Sequence, residues 1–149
     1  MSAAPVLIVD LDGTLCDDGH RKIHLLNKDW DSYHSALHLD TPFPDVVALI
    51  EKVIDVWDVI ALTGRPEEHR LKTEKWLVEH KIAVDMVFMR PTANYESDAI
   101  IKPRLLAEAY GSMENAKRRV AFILEDRDIM VAAWRQLGFN CWQVREGTH

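Results

Sequence analysis

Residues 6–15, VLIVDLDGTL, decide the fold. The apolar run Val6–Val9 is typical of a strand buried on both faces of a sheet, and the carboxylates Asp10 and Asp12 follow it directly. Residues two apart in extended backbone point the same way, so these like charges repel each other. The pair is stable only where something positive neutralises both, and a metal ion is the obvious candidate. Gly13 lets the chain turn and brings backbone N–H groups to the same point.

The composition is that of one folded domain, which we expect to cover residues 1–149. Of the 149 residues, 48% are hydrophobic and 28% are charged. The net charge of -6 argues against a broad basic surface that grips many nucleic-acid phosphates. Since the sequence has no secretion or membrane-insertion signal, we expect a cytoplasmic protein with reduced Cys16 and Cys141.

Short apolar runs alternate with longer amphipathic ones along the chain. Strands alternating with helices favour an α/β fold, in which a mostly parallel sheet is covered by helices on both faces. The predicted strands are 6–9, 59–62, 86–89, 120–124 and 141–144, and the predicted helices are 46–53, 66–80, a helix after Pro103, and 129–137.

The segment from about residue 16 to residue 41 is too long for a simple connection between a strand and a helix. It predicts a small cap inserted after the first strand. Trp30, Tyr33, His34 and Leu37 recur at helical spacing and form one face of a helix. This face either packs on the rest of the domain, which we favour, or stacks on nucleic-acid bases.

Ligands of parallel sheets lie beyond the carboxyl ends of the strands, so polar residues that follow the predicted strands are candidate site residues. Magnesium prefers oxygen ligands and commonly bridges carboxylates to a phosphate, so it suits the aspartates of the first strand. The candidates are Asp10 and Asp12, then Thr63, Gly64 and Arg65, then Arg90, and finally Glu125 and Asp126.

Four motifs in order give the chain a family resemblance. DLDGTL begins at Asp10, TGR begins at Thr63, a lysine stands at position 102, and an acidic pair begins at Glu125. This set resembles the haloacid dehalogenase (HAD) superfamily of phosphotransferases, which implies a three-layer Rossmann-like fold with a small cap. The resemblance also implies that Asp10 is the nucleophile that forms an aspartyl phosphate, and that Asp12 is the general acid and base.

The same resemblance implies roles for the other motif residues. Thr63 and Lys102 would contact the transferred phosphoryl group, and Pro103 predicts that Lys102 stands at the start of a helix. The implied Mg²⁺ ligands are Asp10, the backbone carbonyl of Asp12, and Asp126. Glu125 stands where the superfamily often has a second aspartate, so it either reaches the ion through water or orients Lys102.

A closer resemblance lies in residues 125–147, EDRDIMVAAWRQLGFNCWQVREG, and in residues 96–102, ESDAIIK. Both stretches resemble the phosphatase domain of phage-type polynucleotide kinase/phosphatases, which removes 3′-phosphates from DNA or RNA ends. Arg21 and Arg65 fall where that family carries arginines that its phosphatase needs. The implied substrate-binding residues are Arg21, Gly64, Arg65, Arg90 and Asp98. Arg127 and Asp128 either share this role or are only the charged start of a helix.

Three functions stay open at this point. The first is a Mg²⁺-dependent 3′-phosphatase of nucleic-acid ends. Because the sequence contains no GxxxxGK[ST] phosphate-binding loop, such an enzyme would act with separately encoded kinase and ligase partners. The second is a phosphatase of nucleotides or other small phosphomonoesters. The third is a non-catalytic binding module, which the intact motif set disfavours.

Overall fold

The computed structural model describes residues 3–147, and its centre is a five-stranded parallel sheet. The strands are β1 (Val6–Val9), β2 (Cys16–Asp17), β3 (Thr41–Pro42), β4 (Asp58–Pro66), β5 (Met86–Arg90), β6 (Val120–Arg127) and β7 (Cys141–Gly147). The sheet order is β5-β4-β1-β6-β7, and every pair in it is parallel. The predicted α/β fold with a central parallel sheet is confirmed.

Helices cover both faces of this sheet. They are α1 (Trp30–Ser35), α2 (Pro44–Val53), α3 (Arg70–Glu79), α4 (Asp98–Tyr110), α5 (Met113–Arg119) and α6 (Asp128–Gln136). Alternate residues of β1 enter two separate cores: Leu7 packs in the core that contains Trp76 of α3, and Ile8 packs in the core that contains Trp134 of α6. Because β1 is central, both of its faces must be apolar, as its sequence predicts.

The helix that carries Lys102 begins earlier than predicted. Its first residue is Asp98, so Lys102 lies inside α4 and the prediction that it stands at a helix start is wrong. Ser97 has the extended conformation of an N-cap residue, and Asp98 suits the positive end of the helix dipole. Pro103 lies within the helix, where it removes one backbone donor without ending it.

The segment between β2 and β3 is a folded insertion whose ends meet. Cys16 pairs with Pro42 and Asp17 with Thr41 in an antiparallel ladder. Between these strands lie a 3₁₀ helix over Gly19–Asn27, α1, and a 3₁₀ turn over Leu37–Leu39. Tyr33, His34 and Leu37 are buried, as the packing hypothesis expects, whereas Trp30 is 55% exposed. A capping role for this insertion stays a prediction.

Two observations bear on the environment of the chain. Within residues 3–147, no helix is both long enough and apolar enough to cross a bilayer. Cys16 and Cys141 are buried and carry free thiols.

Candidate active site

The topology brings the predicted site residues to one edge of the sheet. Asp10 follows β1, the strand that lies between β4 and β6. The chain winds to one side of β1 through β4 and β5 and to the other through β6 and β7, so β1 marks the switch point where ligands bind in such sheets. A cleft of about 560 Å³ opens there, and its floor includes Asp10 and Lys102.

Lys102 joins two of the predicted residues at the floor of the cleft. Its Nζ donates to Asp10 Oδ1 at 2.7 Å and to Glu125 Oε1 at 2.8 Å. The indole N–H of Trp134 also donates to Glu125 Oε1, at 3.3 Å. Lys102 and Glu125 are each only 1% exposed, so their positions are fixed by packing as well as by charge. Glu125 therefore contacts Lys102 directly, and whether it orients Lys102 or reaches an ion through water stays a prediction.

The same floor holds more negative charge than Lys102 can neutralise. Carboxyl oxygens of Asp10, Glu125 and Asp126 lie within 4.8 Å of one another. The Thr14 hydroxyl lies 3.1 Å from Asp10 Oδ2 and 3.3 Å from Asp126 Oδ1. Burial, reinforced by the charge of Asp10, raises the pKa of both Glu125 and Asp126 above the usual carboxyl range. We name Asp10, Glu125, Asp126 and Lys102 the acidic centre.

The acidic centre fits a hard divalent cation such as Mg²⁺. All of its potential ligands are carboxylate oxygens, the donor type that Mg²⁺ prefers. Glu125 Oε2 is buried and has no hydrogen-bond partner among residues 3–147, which leaves a buried polar oxygen unsatisfied. A cation bound there would satisfy that oxygen and lower the repulsion between the carboxylates.

Two glycines allow carboxylates to approach the site closely. Gly13 has a φ of +84°, and a Cβ at this position would lie 2.2 Å from Asp126 Oδ2. A Cβ on Gly64 would lie 2.5 Å from Asp98 Oδ1. Both positions therefore require glycine for space, and Gly13 also requires it for its backbone conformation.

Asp12 belongs to a second charged group beside the first. Arg21 Nη2 donates to Asp12 Oδ1 at 2.5 Å, and Arg65 Nη2 donates to the same oxygen at 2.7 Å. Asp40 completes the group by accepting from Arg21 Nε at 2.8 Å and from Arg65 Nη2 at 3.2 Å. Two carboxylates thus face two guanidinium groups. We name Asp12, Arg21, Asp40 and Arg65 the arginine lock.

The arginine lock is buried and fixes the charge of Asp12. Arg21 and Arg65 are 0% and 1% exposed. Burial alone would raise the pKa of Asp12, but Arg65 and Arg21 outweigh it and hold that pKa well below its usual range. The family resemblance implies that both arginines bind substrate, whereas in the structure the Nε and Nη2 groups of both donate to Asp12 and Asp40. Direct contact of either arginine with substrate stays a prediction.

Two other arginines meet at Asp98 on the rim of the cleft. Arg90 donates to Asp98 Oδ1, and Arg127 donates to Asp98 Oδ2 at 2.6 Å. Arg90 Nε also donates to the Gly64 carbonyl at 2.9 Å. The structure thus brings Gly64, Arg90 and Asp98 together, and it places Arg127 with them.

Thr63 and two unpredicted residues complete the surroundings. Thr63 is buried at the carboxyl end of β4, and its Oγ1 accepts from the Arg65 amide at 3.1 Å. Sequence reasoning missed Thr14 and Asp40. The position of Thr14 within DGTL, two residues after Asp12, was a usable signal, whereas Asp40 lies in a connection and shows none.

A family model agrees with this site. The model described as the polynucleotide kinase PNKP phosphatase domain matches residues 4–149. The chain belongs to this family. The predicted HAD-type phosphatase family is confirmed, and with it the closer resemblance to the polynucleotide kinase/phosphatase domain.

Solved structures agree with the family assignment. A chain from the structure of the Pnkp1/Rnl/Hen1 RNA repair complex has 31% identity and a TM-score of 0.82, and the match covers 98% of this chain and 44% of that one. This chain therefore spans less than half the length of that relative. A haloacid dehalogenase-like hydrolase from Streptococcus pneumoniae has 14% identity and a TM-score of 0.66, over 98% of this chain and 89% of that one. At that identity the likeness concerns the fold alone.

Proposed function

We propose that the chain is a Mg²⁺-dependent phosphomonoesterase that forms an aspartyl phosphate on Asp10 and removes 3′-phosphates from nucleic-acid ends. One observation carries the proposal: in a member of this family, Asp10 lies at the floor of the cleft, held by Lys102 and beside Asp126. A non-catalytic binding module would not need a buried lysine fixed on a carboxylate that faces the cleft.

The acidic centre would hold the ion. Asp10 and Asp126 would supply carboxylate ligands, the backbone carbonyl of Asp12 a third, and Glu125 a contact through its unpartnered Oε2 or through water. When bound, Mg²⁺ supplies positive charge that offsets the phosphate and lets a carboxylate approach it.

Asp10 would act first. One of its carboxylate oxygens forms a bond to phosphorus while the bond from phosphorus to the substrate oxygen breaks. Lys102 donates to Asp10 and carries positive charge that would stabilise the transferred phosphoryl group. Thr63 accepts from the Arg65 amide, so its own hydrogen can still be donated to a phosphoryl oxygen.

Asp12 would transfer the protons that the two half-reactions need. The departing alkoxide needs a proton, and the water that later cleaves the aspartyl phosphate must lose one to a base. Arg21 and Arg65 hold the pKa of Asp12 low, so its carboxylate is ionised at rest and is only a weak proton acceptor. We therefore expect both proton transfers to require that the contacts of Asp12 with these arginines weaken when substrate binds.

The substrate assignment draws support from the comparisons and from the rim of the cleft. The related chain comes from a structure described as an RNA repair complex, so kinase and ligase partners also belong to this proposal. Arg90 and Arg127 lie at the rim with donors directed at Asp98, and an incoming phosphate could compete for them. The acidic lining of the cleft favours an alternative, a phosphatase of nucleotides or other small phosphomonoesters, which carry fewer phosphates.

A substrate panel tests the proposal. With Mg²⁺ present, a strand with a 3′-phosphate should be dephosphorylated much faster than the same strand with a 5′-phosphate. Equal rates on the two strands, or faster turnover of free nucleotides than of either, would favour the alternative. Absence of turnover on every phosphomonoester would overturn both.

A further inference from the structure

Neutral rings form the outer wall of the cleft. The His34 imidazole stacks on the His69 imidazole with centroids 4.7 Å apart and planes 29° apart. The Trp30 indole also stacks on His34, with centroids 6.1 Å apart and planes 24° apart. All three rings line the same cleft as Asp10. We name Trp30, His34 and His69 the ring wall.

The aromatic side chains that line the cleft differ in solvent exposure. His34 is 8% exposed, and burial lowers its pKa to about 4, so it is a neutral ring near pH 7. Trp30 is 55% exposed although it lines the cleft. Tyr95, from the loop between β5 and α4, lines the same cleft and is 93% exposed. Two large aromatic side chains therefore stand uncovered at the mouth of the site.

The charges of the cleft oppose a long polyanion. Among the described residues that line it, seven carry carboxylates and four carry permanent positive charges. Each of those four cations already contacts a carboxylate: Arg65 contacts Asp12, Arg90 and Arg127 contact Asp98, and Lys102 contacts Asp10. Beyond the reacting phosphate, the cleft thus offers aromatic faces rather than free cations.

We propose that the ring wall binds the base of the nucleotide whose phosphate reacts at Asp10, by stacking on Trp30, with Tyr95 as a second aromatic contact. This inference rests on the proposed function and adds how the substrate is recognised. Every base has an aromatic face, so stacking accepts any sequence and needs no cation. The cleft volume, about 560 Å³, lies within the range of sites that enclose small ligands.

Three substrates separate base recognition from phosphate chemistry. They are a strand that ends in a normal nucleoside 3′-phosphate, the same strand with an abasic terminal sugar 3′-phosphate, and a free nucleoside 3′-phosphate. Trp30→Ala should raise KM about tenfold for the two substrates that carry a terminal base, with kcat nearly unchanged. It should leave KM for the abasic strand unchanged, and Trp30→Phe should restore most of the loss.

Trp142 provides a matched control, because it is 49% exposed and lies on β7, outside the residues that line the cleft. Trp142→Ala should change KM for none of the three substrates. The inference is overturned if Trp30→Ala changes KM equally for the normal and abasic strands, or changes neither while wild-type protein turns over all three. If wild-type protein turns over none of them, the proposed function itself fails.

The KM values of the two substrates that carry a terminal base also show which nucleotide's base stacks on Trp30. If the strand and the free nucleoside 3′-phosphate lose affinity by the same factor in Trp30→Ala, the stacked base is that of the terminal nucleotide. A loss confined to longer strands would place the stacked base further from the phosphate and would overturn the assignment.

Discussion

The acidic centre and the arginine lock lie side by side, yet they differ in how the charge of their buried carboxylates is balanced. The arginine lock is balanced, since Asp12 and Asp40 face Arg21 and Arg65, and both carboxylates are bonded to both guanidinium groups. The acidic centre has three carboxylates and only Lys102, and one of its buried oxygens has no partner among the described residues. The lock is balanced as it stands, whereas the proposed function adds a cation and a phosphate to the acidic centre.

The largest effect is expected at Asp10, the proposed nucleophile of the acidic centre. Asp10→Asn keeps the shape of the side chain and can still accept from Lys102, but an amide does not form the aspartyl phosphate. We expect kcat to fall by about 10⁴-fold, about 5.5 kcal/mol in activation free energy, with little change in melting temperature. Activity that survives this change would contradict the covalent mechanism.

The balance of the arginine lock predicts the next effect. Arg65→Met removes a buried cation from two buried carboxylates, and breaking such a pair costs about 3–5 kcal/mol in the free energy of unfolding. Chemical denaturation measures the loss. A double variant, Arg65→Met with Asp40→Asn, should recover part of this stability because it restores one positive charge to one negative charge. If the double variant is no more stable than Arg65→Met, charge balance does not account for the stability of the arginine lock.

His34 sharpens the comparison, because it is a buried titratable group without compensation. Its Nδ1 has no hydrogen-bond partner within residues 3–147, and burial lowers its pKa from 6.5 to about 4. The unfolded chain therefore binds a proton more readily than the folded one between these values, so stability falls as the pH falls through them. Between pH 7 and pH 5, the free energy of unfolding should fall by about 2 kcal/mol less in His34→Phe than in wild-type protein. Parallel stability profiles of the two proteins would contradict this assignment.

The smallest effect is expected for an ion pair in solvent. Lys75 and Glu79 lie 3.6 Å apart on α3, and their side chains are 74% and 52% exposed. Lys75→Ala should change the free energy of unfolding by less than about 0.5 kcal/mol. A loss comparable with that of Arg65→Met would show that burial does not distinguish the arginine lock from ordinary surface pairs.

Local patterns explain why the fold could be predicted. Apolar runs such as residues 6–9 and 120–124 identify buried strands from a few neighbouring residues, and parallel topology then places the residues at their carboxyl ends on one edge. Asp10 and Asp126 were therefore predictable as neighbours. Pro103 predicts a helix start near Lys102, whereas α4 begins at Asp98 after the extended residue Ser97 and continues through the proline.

The partners of the arginines were not predictable in the same way. Asp40 lies 19 positions from Arg21 and 25 from Arg65, and no periodicity links the three. Resemblance to a family identified the arginines as important, but only the fold reveals that they contact Asp12 and Asp40. A balanced buried group depends on contacts between distant segments, so its members are the residues that sequence patterns describe least well.

A Mg²⁺ titration of metal-stripped protein, followed by thermal unfolding, tests the contrast between the two groups most directly. Wild-type protein should gain a saturable increase in melting temperature, and Asp126→Asn should lose it because a carboxylate of the acidic centre is gone. Asp31→Asn removes a carboxylate that lines the cleft outside that centre, so it should respond like wild type. A melting temperature that does not respond to Mg²⁺, or that responds equally in Asp126→Asn, would contradict the account.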